Sequence, residues 1–359
     1  MNKKNDYKDV QSIVRPNIRE TVAYHVEQVP CPVVLDANES PYSLSEKFGE
    51  RLYEIIASTE LNRYPDINGT ALREVVANKE AAEPNEILFG NGSDEIIQTI
   101  ISTFCNPGDS VLMPTPTFVM YSSIAKILSA DCVEVPLQED WTLNMDSFLD
   151  NISKSNPKVV FIASPNNPTG KQYSIEQIEH IANNCNGIVV IDEAYVDYAP
   201  FSVDKIYRSL PNIIVLKTLS KVGLAAIRLG YMLGDINLVE HINKVRLPYN
   251  INSVTQSVAI EAIKSWDEIM SQVTLVINER DRAYKILKTV EKVDPVPSSA
   301  NFILMKIKSD ISGTYKGLLD NGIRVRWFKN MPKLGDFFRV TIGKPADNDR
   351  FLWALRESV

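Results

Sequence analysis

The stretch KVVFIASPNNPTGKQYSIEQIEHIANNCNGIVVIDEAY, residues 158–195, decides how this chain is read. It opens on an apolar, β-branched run at 158–162 and turns through Ser164-Pro165-Asn166-Asn167-Pro168-Thr169-Gly170. A helical pattern follows at 175–183, and a second wholly apolar run at 187–191 ends in Asp192-Glu193-Ala194-Tyr195. Strand, helix, strand, with no polar alternation in the strands, marks a parallel sheet covered on both faces. Working outward, strand candidates lie at 86–89, 110–113, 132–135 and 212–216, with a helical pattern at 94–104. The chain therefore reads as α/β with a mainly parallel sheet in a large domain.

After Asn250 the texture changes. Residues 255–290 contain neither Gly nor Pro and are compatible with one long helix. Strand candidates follow at 301–307, 322–328 and 337–342, which suggests a smaller α+β second domain. The expected division is 41–255 for the large domain and 256–359 for the small one. Residues 1–40 are irregular and proline-punctuated. They are expected to form an arm and part of the small domain, packed on that domain or on a neighbouring subunit.

Composition narrows the function classes. The 359 residues carry 38 Lys+Arg against 45 Asp+Glu, a formal net charge of −7. That balance argues against a nucleic-acid binder, which needs clustered Lys and Arg to neutralise phosphates. At 44% hydrophobic and 23% charged residues the chain is an ordinary globular one, long enough to hold a core without disulfides or metal. No apolar stretch approaches the ~20 residues of a membrane span, and MNKKNDYKDVQS at the start has no apolar leader segment. Cys31, Cys105, Cys132 and Cys185 are scattered, without a CxxC pair or a His at metal spacing. They read as reduced, mostly buried thiols of a cytoplasmic protein, with no metal expected.

Ligands of open α/β sheets bind where strands end. Four such ends are unusual here. Gly90-Asn91-Gly92-Ser93-Asp94-Glu95 precedes a helix. It is either a phosphate cradle at Gly92, Ser93 and Asp94 or a plain helix cap. Asn167 is displayed as an amide donor on a loop stiffened by two prolines. Asp192 ends an apolar strand, so its desolvated carboxylate will seek a cation or an N–H donor. Tyr195 can serve the same ligand. Thr218-Leu219-Ser220-Lys221 leads into a small-residue turn that ends at Arg228. A desolvated lysine amine there is competent for Schiff-base chemistry. Together these groups are the complement of pyridoxal 5′-phosphate (PLP): a phosphate cradle, an acid for the ring nitrogen, a phenol and an amide for the ring oxygen, and an amine for the aldehyde. Phe118 can stack on the ring. Met120 and Tyr121 read as packing, the three histidines as structural or exposed, and Trp327 as either lining the site or filling the small domain.

The motifs VRP (14–16), DANESPY (36–42), NRYP (62–65), GNGSDE (90–95), PTFVMY (116–121), SPNNPTG (164–170), DEAY (192–195), TLSK (218–221), GIRVR (322–326) and FRVTIG (338–343) occur in one order. In that order the chain resembles the fold-type I PLP-dependent aminotransferases, and within them the histidinol-phosphate aminotransferase branch, over nearly its whole length. The resemblance implies that Lys221 is the Schiff-base lysine and proton shuttle. It also implies that Ser93, Asp94, Ser220 and Arg228 hold the cofactor phosphate, with Thr218 nearby. Tyr64 would reach the cofactor phosphate of a partner subunit, in a homodimer with shared sites. Arg326 and Arg339 would bind the substrate anion, with Tyr42 lining the pocket. The implied reaction is ping-pong exchange between L-histidinol phosphate plus 2-oxoglutarate and imidazole acetol phosphate plus L-glutamate, a step of histidine biosynthesis. The alternatives are an aromatic amino-acid aminotransferase, a threonine-phosphate decarboxylase-like enzyme, or a PLP-binding regulatory domain without turnover.

Overall fold

The computed structural model describes residues 10–21, 23 and 29–359, so His25 lies outside the described residues. In chain order its strands are β1 (Val33–Leu35), β2 (Ile87–Asn91), β3 (Ser110–Thr115), β4 (Asp131–Pro136), β5 (Val159–Ala163) and β6 (Ile188–Asp192). They continue as β7 (Ile213–Thr218), β8 (Leu229–Gly234), β9 (Val293–Pro295), β10 (Phe302–Ile307), β11 (Ile323–Trp327) and β12 (Phe337–Thr341). Seven of them form one sheet in the order β2-β8-β7-β6-β5-β3-β4, and five form another in the order β1-β11-β12-β10-β9. The first sheet is parallel except at β8, which runs antiparallel to both β2 and β7.

The strands of residues 158–195 are buried along their whole length, which is why they carry no polar alternation. Their side chains still alternate between faces. Val159 and Phe161 join Val190, Ile214 and Leu216 on one face, under the helix Ser93–Phe104. Val160 and Ile162 join Val189, Ile191 and Val215 on the other, in a cluster that continues into the five-stranded sheet. Each fully buried Val or Ile contributes roughly 1.5–3 kcal/mol, so this central pair of faces fixes where the strand ends lie.

Four features differ from the sequence reading. LGYMLG at 229–234, which is not among the strand candidates, is the buried strand β8. Its two glycines lower its strand propensity, yet one is required: a Cβ on Gly230 would stand 2.6 Å from the Ser93 nitrogen. The single helix expected at 255–290 is two, Ser253–Lys264 and Trp266–Leu287, because Ser265 (φ −107, ψ 34) leaves helical geometry. The arm divides. Val33–Leu35 joins the five-stranded sheet beside β11, but Arg15 and Asn17 donate to the carbonyls of Ile127 (3.0 Å) and Lys126 (2.8 Å). Both carbonyls belong to the last turn of the helix Met120–Ile127, so this part of the arm packs beside the seven-stranded sheet rather than on the second one. Finally, only Cys185 is buried, and the other three thiols are partly exposed. No described helix is long and apolar enough to cross a membrane.

Candidate active site

The carboxyl ends of the parallel strands open into one cleft of about 980 Å³ that faces β11 and β12 of the other sheet. That volume accommodates a cofactor together with a substrate. Ser93 and Asp94 follow β2, Phe118 follows β3, Asn167 follows β5, Asp192 ends β6, and Thr218 ends β7. Tyr195, Ser220, Lys221 and Arg228 line the same cleft, and Arg326 and Arg339 line it from β11 and β12. Three predicted residues do not. Gly92 backs the cleft wall, Tyr42 is half-buried near the Lys221 turn, and Tyr64 is 81% exposed and stacked on Tyr249 at 4.7 Å.

At the cradle, Gly92 takes φ +76, and a Cβ there would meet Arg228 Nη2 at 2.6 Å. The guanidinium therefore lies over the turn that starts the helix Ser93–Phe104, whose first N–H groups have no partner within the helix. Arg228 itself holds a left-handed conformation (φ 53), and its Nη2 is 3.3 Å from Asp94 Oδ2. Thr218 and Ser220 join hydroxyls at 3.0 Å beside it. Backbone donors, two hydroxyls and a guanidinium are groups that a dianion could be held by.

Asp192 is buried at the base of the cleft. Burial pushes its carboxyl above the ordinary range, against the opposing donors Tyr121 Oη–H (2.6 Å to Oδ2) and Ala194 N–H (3.0 Å to Oδ1). Tyr121 is therefore more than packing, contrary to the sequence reading. Asn167 Oδ1 accepts from Arg339 Nη1 at 2.5 Å, which turns the amide so that Nδ2 is its remaining donor. Tyr195 Oη accepts from Asn38 Nδ2 at 2.9 Å, which leaves its own proton for another acceptor. Asn38 escaped the sequence reading because its partner lies 157 residues away.

Lys221 sits in a turn whose backbone is held by Tyr198 Oη, a donor to Lys221 O at 2.7 Å. Its amine is partly exposed to the cleft rather than desolvated, 5.6 Å from the Tyr195 ring centroid and 3.5 Å from Ala37 O. Trp327 does not line the cleft. It packs among Tyr315 and Phe338 and donates to Gly335 O at 2.7 Å.

Strand alternation places a second set of charges on the opposite face of β7. Lys217 Nζ meets Glu80 Oε2 at 2.6 Å, Asp204 Oδ2 at 3.0 Å and Glu193 Oε2 at 3.8 Å. Burial, with a smaller push from Asp204, raises Glu193 to about 7 against the pull of Lys217 and the bonds from Ser202 and Val203 N–H. Burial also opposes ionisation of Glu80, but attraction to Lys217 and Lys79 overcomes it and holds that carboxyl at about 2. A carboxyl held below its ordinary value stabilises the fold above that value and loses the effect as pH falls through the lowered one. Glu80→Gln is thus expected to cost about 3 kcal/mol at neutral pH, since it removes the carboxylate nearest to Lys217 and the charge that its lowered titration reports. Its deficit against the parent should shrink as pH drops from ~4.5 toward ~2, a trend that thermal unfolding across that range checks.

The cleft's groups fit PLP: a dianion cradle that a Cβ at Gly92 would fill, a buried carboxylate, a free amide donor, a phenol with its proton available, and one amine. Among the described residues, Arg326 and Arg339 are also register partners across β11 and β12. Like charges directly opposite one another destabilise a sheet, and an anion bound between them relieves that cost.

Comparison with known proteins agrees with this chemistry. Residues 31–355 match the family described as Aminotransferase class I and II. The chain is 39% identical over 349 residues to histidinol-phosphate aminotransferase of Thermoanaerobacter pseudethanolicus, covering 97% of this chain and 99% of the relative. Its fold matches the crystal structure of histidinol-phosphate aminotransferase from Sinorhizobium meliloti in complex with pyridoxal-5′-phosphate, with a TM-score of 0.87, 23% identity and 97% of each chain covered. The histidinol-phosphate aminotransferase of Clostridium acetobutylicum superposes with a TM-score of 0.83 at 26% identity, covering 90% of this chain and 98% of that one.

Proposed function

Since the chain belongs to the class I and II aminotransferases, in the branch of histidinol-phosphate aminotransferases, we propose that it transfers an amino group between L-histidinol phosphate and 2-oxoglutarate in histidine biosynthesis. The observation that carries this reading is the convergence of Lys221, Asp192 and the Arg326–Arg339 pair on one cleft. Bound PLP supplies an electron sink for the negative charge left when the substrate α-carbon loses its proton. The chain's own residues do the rest. Ser93, Asp94, Ser220 and Arg228 bind the phosphate, with Gly92 letting the backbone approach and Thr218 orienting Ser220. Asp192 holds the proton at the ring nitrogen. Asn167 and Tyr195 donate to the ring oxygen, and Phe118 covers the ring face. Lys221 Nζ anchors the cofactor and moves the proton at the substrate α-carbon.

Arg326 and Arg339 bind the substrate's anionic group. Guanidinium forks match phosphate and carboxylate alike, so both amino donor and phosphorylated acceptor fit in turn, as a ping-pong cycle needs. Tyr42 borders the substrate pocket in this reading. The working form is a homodimer. Tyr64, Leu61 and Leu247, exposed by 81%, 77% and 69%, give an apolar surface for a second copy, through which Tyr64 reaches the partner's cofactor phosphate and substrate. The large sheet with residues 41–255 and the small one with 256–359 plus β1 act as two domains. The enzyme works in the cytoplasm.

A substrate panel tests this function. Protein loaded with PLP and glutamate is offered imidazole acetol phosphate, phenylpyruvate and 4-hydroxyphenylpyruvate, and 2-oxoglutarate formation is measured. The phosphorylated imidazole acceptor should be favoured by about 100-fold in kcat/KM, because a phosphate dianion neutralises both facing guanidiniums and a monoanionic carboxylate only one. A preference for the aromatic acids would overturn the substrate assignment and leave the fold intact.

A further inference from the structure

Tyr121 is fully buried at the start of the helix Met120–Ile127. Its ring lies parallel to Phe161 of β5, with centroids 4.6 Å apart at 4°, and edge-on to Phe118 at 5.5 Å and 86°. Phenylalanine would satisfy that packing equally. The hydroxyl has one partner, Asp192 Oδ2 at 2.6 Å, from which it cannot turn away without opening the core. The remaining Asp192 oxygen accepts from the Ala194 N–H at 3.0 Å.

We propose that Tyr121 is a positioning residue that acts through Asp192: by donating to Oδ2 it withdraws electron density from the carboxylate, so that the proton shared with the ring nitrogen of bound PLP stays on nitrogen. The inference rests on the function proposed above. A hydrogen bond donated to a carboxylate favours its charged form, whereas burial and a neighbouring like charge disfavour it. Around Asp192, burial acts first and Asp94 adds to it, while Tyr121, the Ala194 N–H and Lys221 oppose them. Tyr121 keeps its own proton, since burial and the adjacent Asp192 both hold its hydroxyl well above the ordinary phenol range. Without that donor the balance around Asp192 tips toward the neutral acid. The proton then moves from ring nitrogen to carboxylate, and the ring loses the charge that makes it an electron sink.

The experiment is Tyr121→Phe, loaded with PLP carrying 15N in its ring and compared with the parent. The parent's ring-nitrogen resonance should lie at the protonated-pyridinium position and the variant's should move toward neutral pyridine. In step, kcat should fall about tenfold with KM for glutamate little changed, as loss of one charge-assisted hydrogen bond predicts. A fluorotyrosine placed at 121 keeps ring and bond with a more acidic hydroxyl. As a stronger donor to Asp192 it should move the resonance further to the pyridinium side than the parent's, and it decides the matter should the Phe variant not fold. A resonance indifferent to both substitutions overturns the inference alone. A parent protein that takes up no labelled cofactor overturns the proposed function, and the inference with it.

Discussion

Lys221→Ala is expected to lower kcat by at least about 10⁴-fold, because in the proposed function one amine both anchors the cofactor and carries the α-carbon proton. No substitute is at hand. Lys221 is the only lysine among the described residues lining the cleft. Lys217, four positions earlier, lies on the opposite face of β7, locked among Glu80, Asp204 and Glu193. The fold should survive, since the Lys221 side chain makes only long contacts, to Ala37 O and to the Tyr195 ring, while its backbone carbonyl keeps the bond from Tyr198. Single-turnover transfer from glutamate, with circular dichroism as the control for folding, checks this. Activity within tenfold of the parent would remove Lys221 from the chemistry.

Asp192→Asn is expected to cost about 10³-fold in kcat, the scale on which a preorganised charge at a reacting group acts. The amide keeps the shape and an acceptor oxygen but not the charge that, in the proposed function, holds a proton on the ring nitrogen. Stability should move the other way. Burial raises the Asp192 carboxyl above its ordinary range, so ionised Asp192 burdens the cofactor-free fold increasingly as pH rises toward neutrality. Removing that charge should leave the melting temperature of the cofactor-free protein unchanged or higher at neutral pH. A loss of activity accompanied by a lower melting temperature would instead assign Asp192 a structural role. Function that costs stability in this way is common at active sites.

The strand ends that carry this chemistry were legible in the sequence because a buried parallel strand is an apolar run with a sharp end. At Ile191–Asp192 the change from apolar to charged marks both the strand end and the site. The helix Ile175–Asn183 was legible through its period and its capping box, Ser174 with Gln177. What escaped depends on contacts far apart in the chain. Tyr121 finds Asp192 71 residues on, and Asn38 finds Tyr195 157 residues on. Nothing local to either residue signals its partner. β8 escaped for another reason: its Gly230 serves the close approach to Ser93, a tertiary need that outweighs strand propensity. The facing of Arg326 and Arg339 required the register of β11 on β12, which turn lengths alone do not specify.

Borohydride reduction of the PLP-loaded protein, followed by peptide mapping, tests the central claim most directly. It fixes the cofactor covalently to whichever amine holds it. The account predicts a single label, on the peptide containing Lys221, which is absent in Lys221→Ala. A label on Lys217 or elsewhere, or no label on protein that has taken up the cofactor, would contradict it.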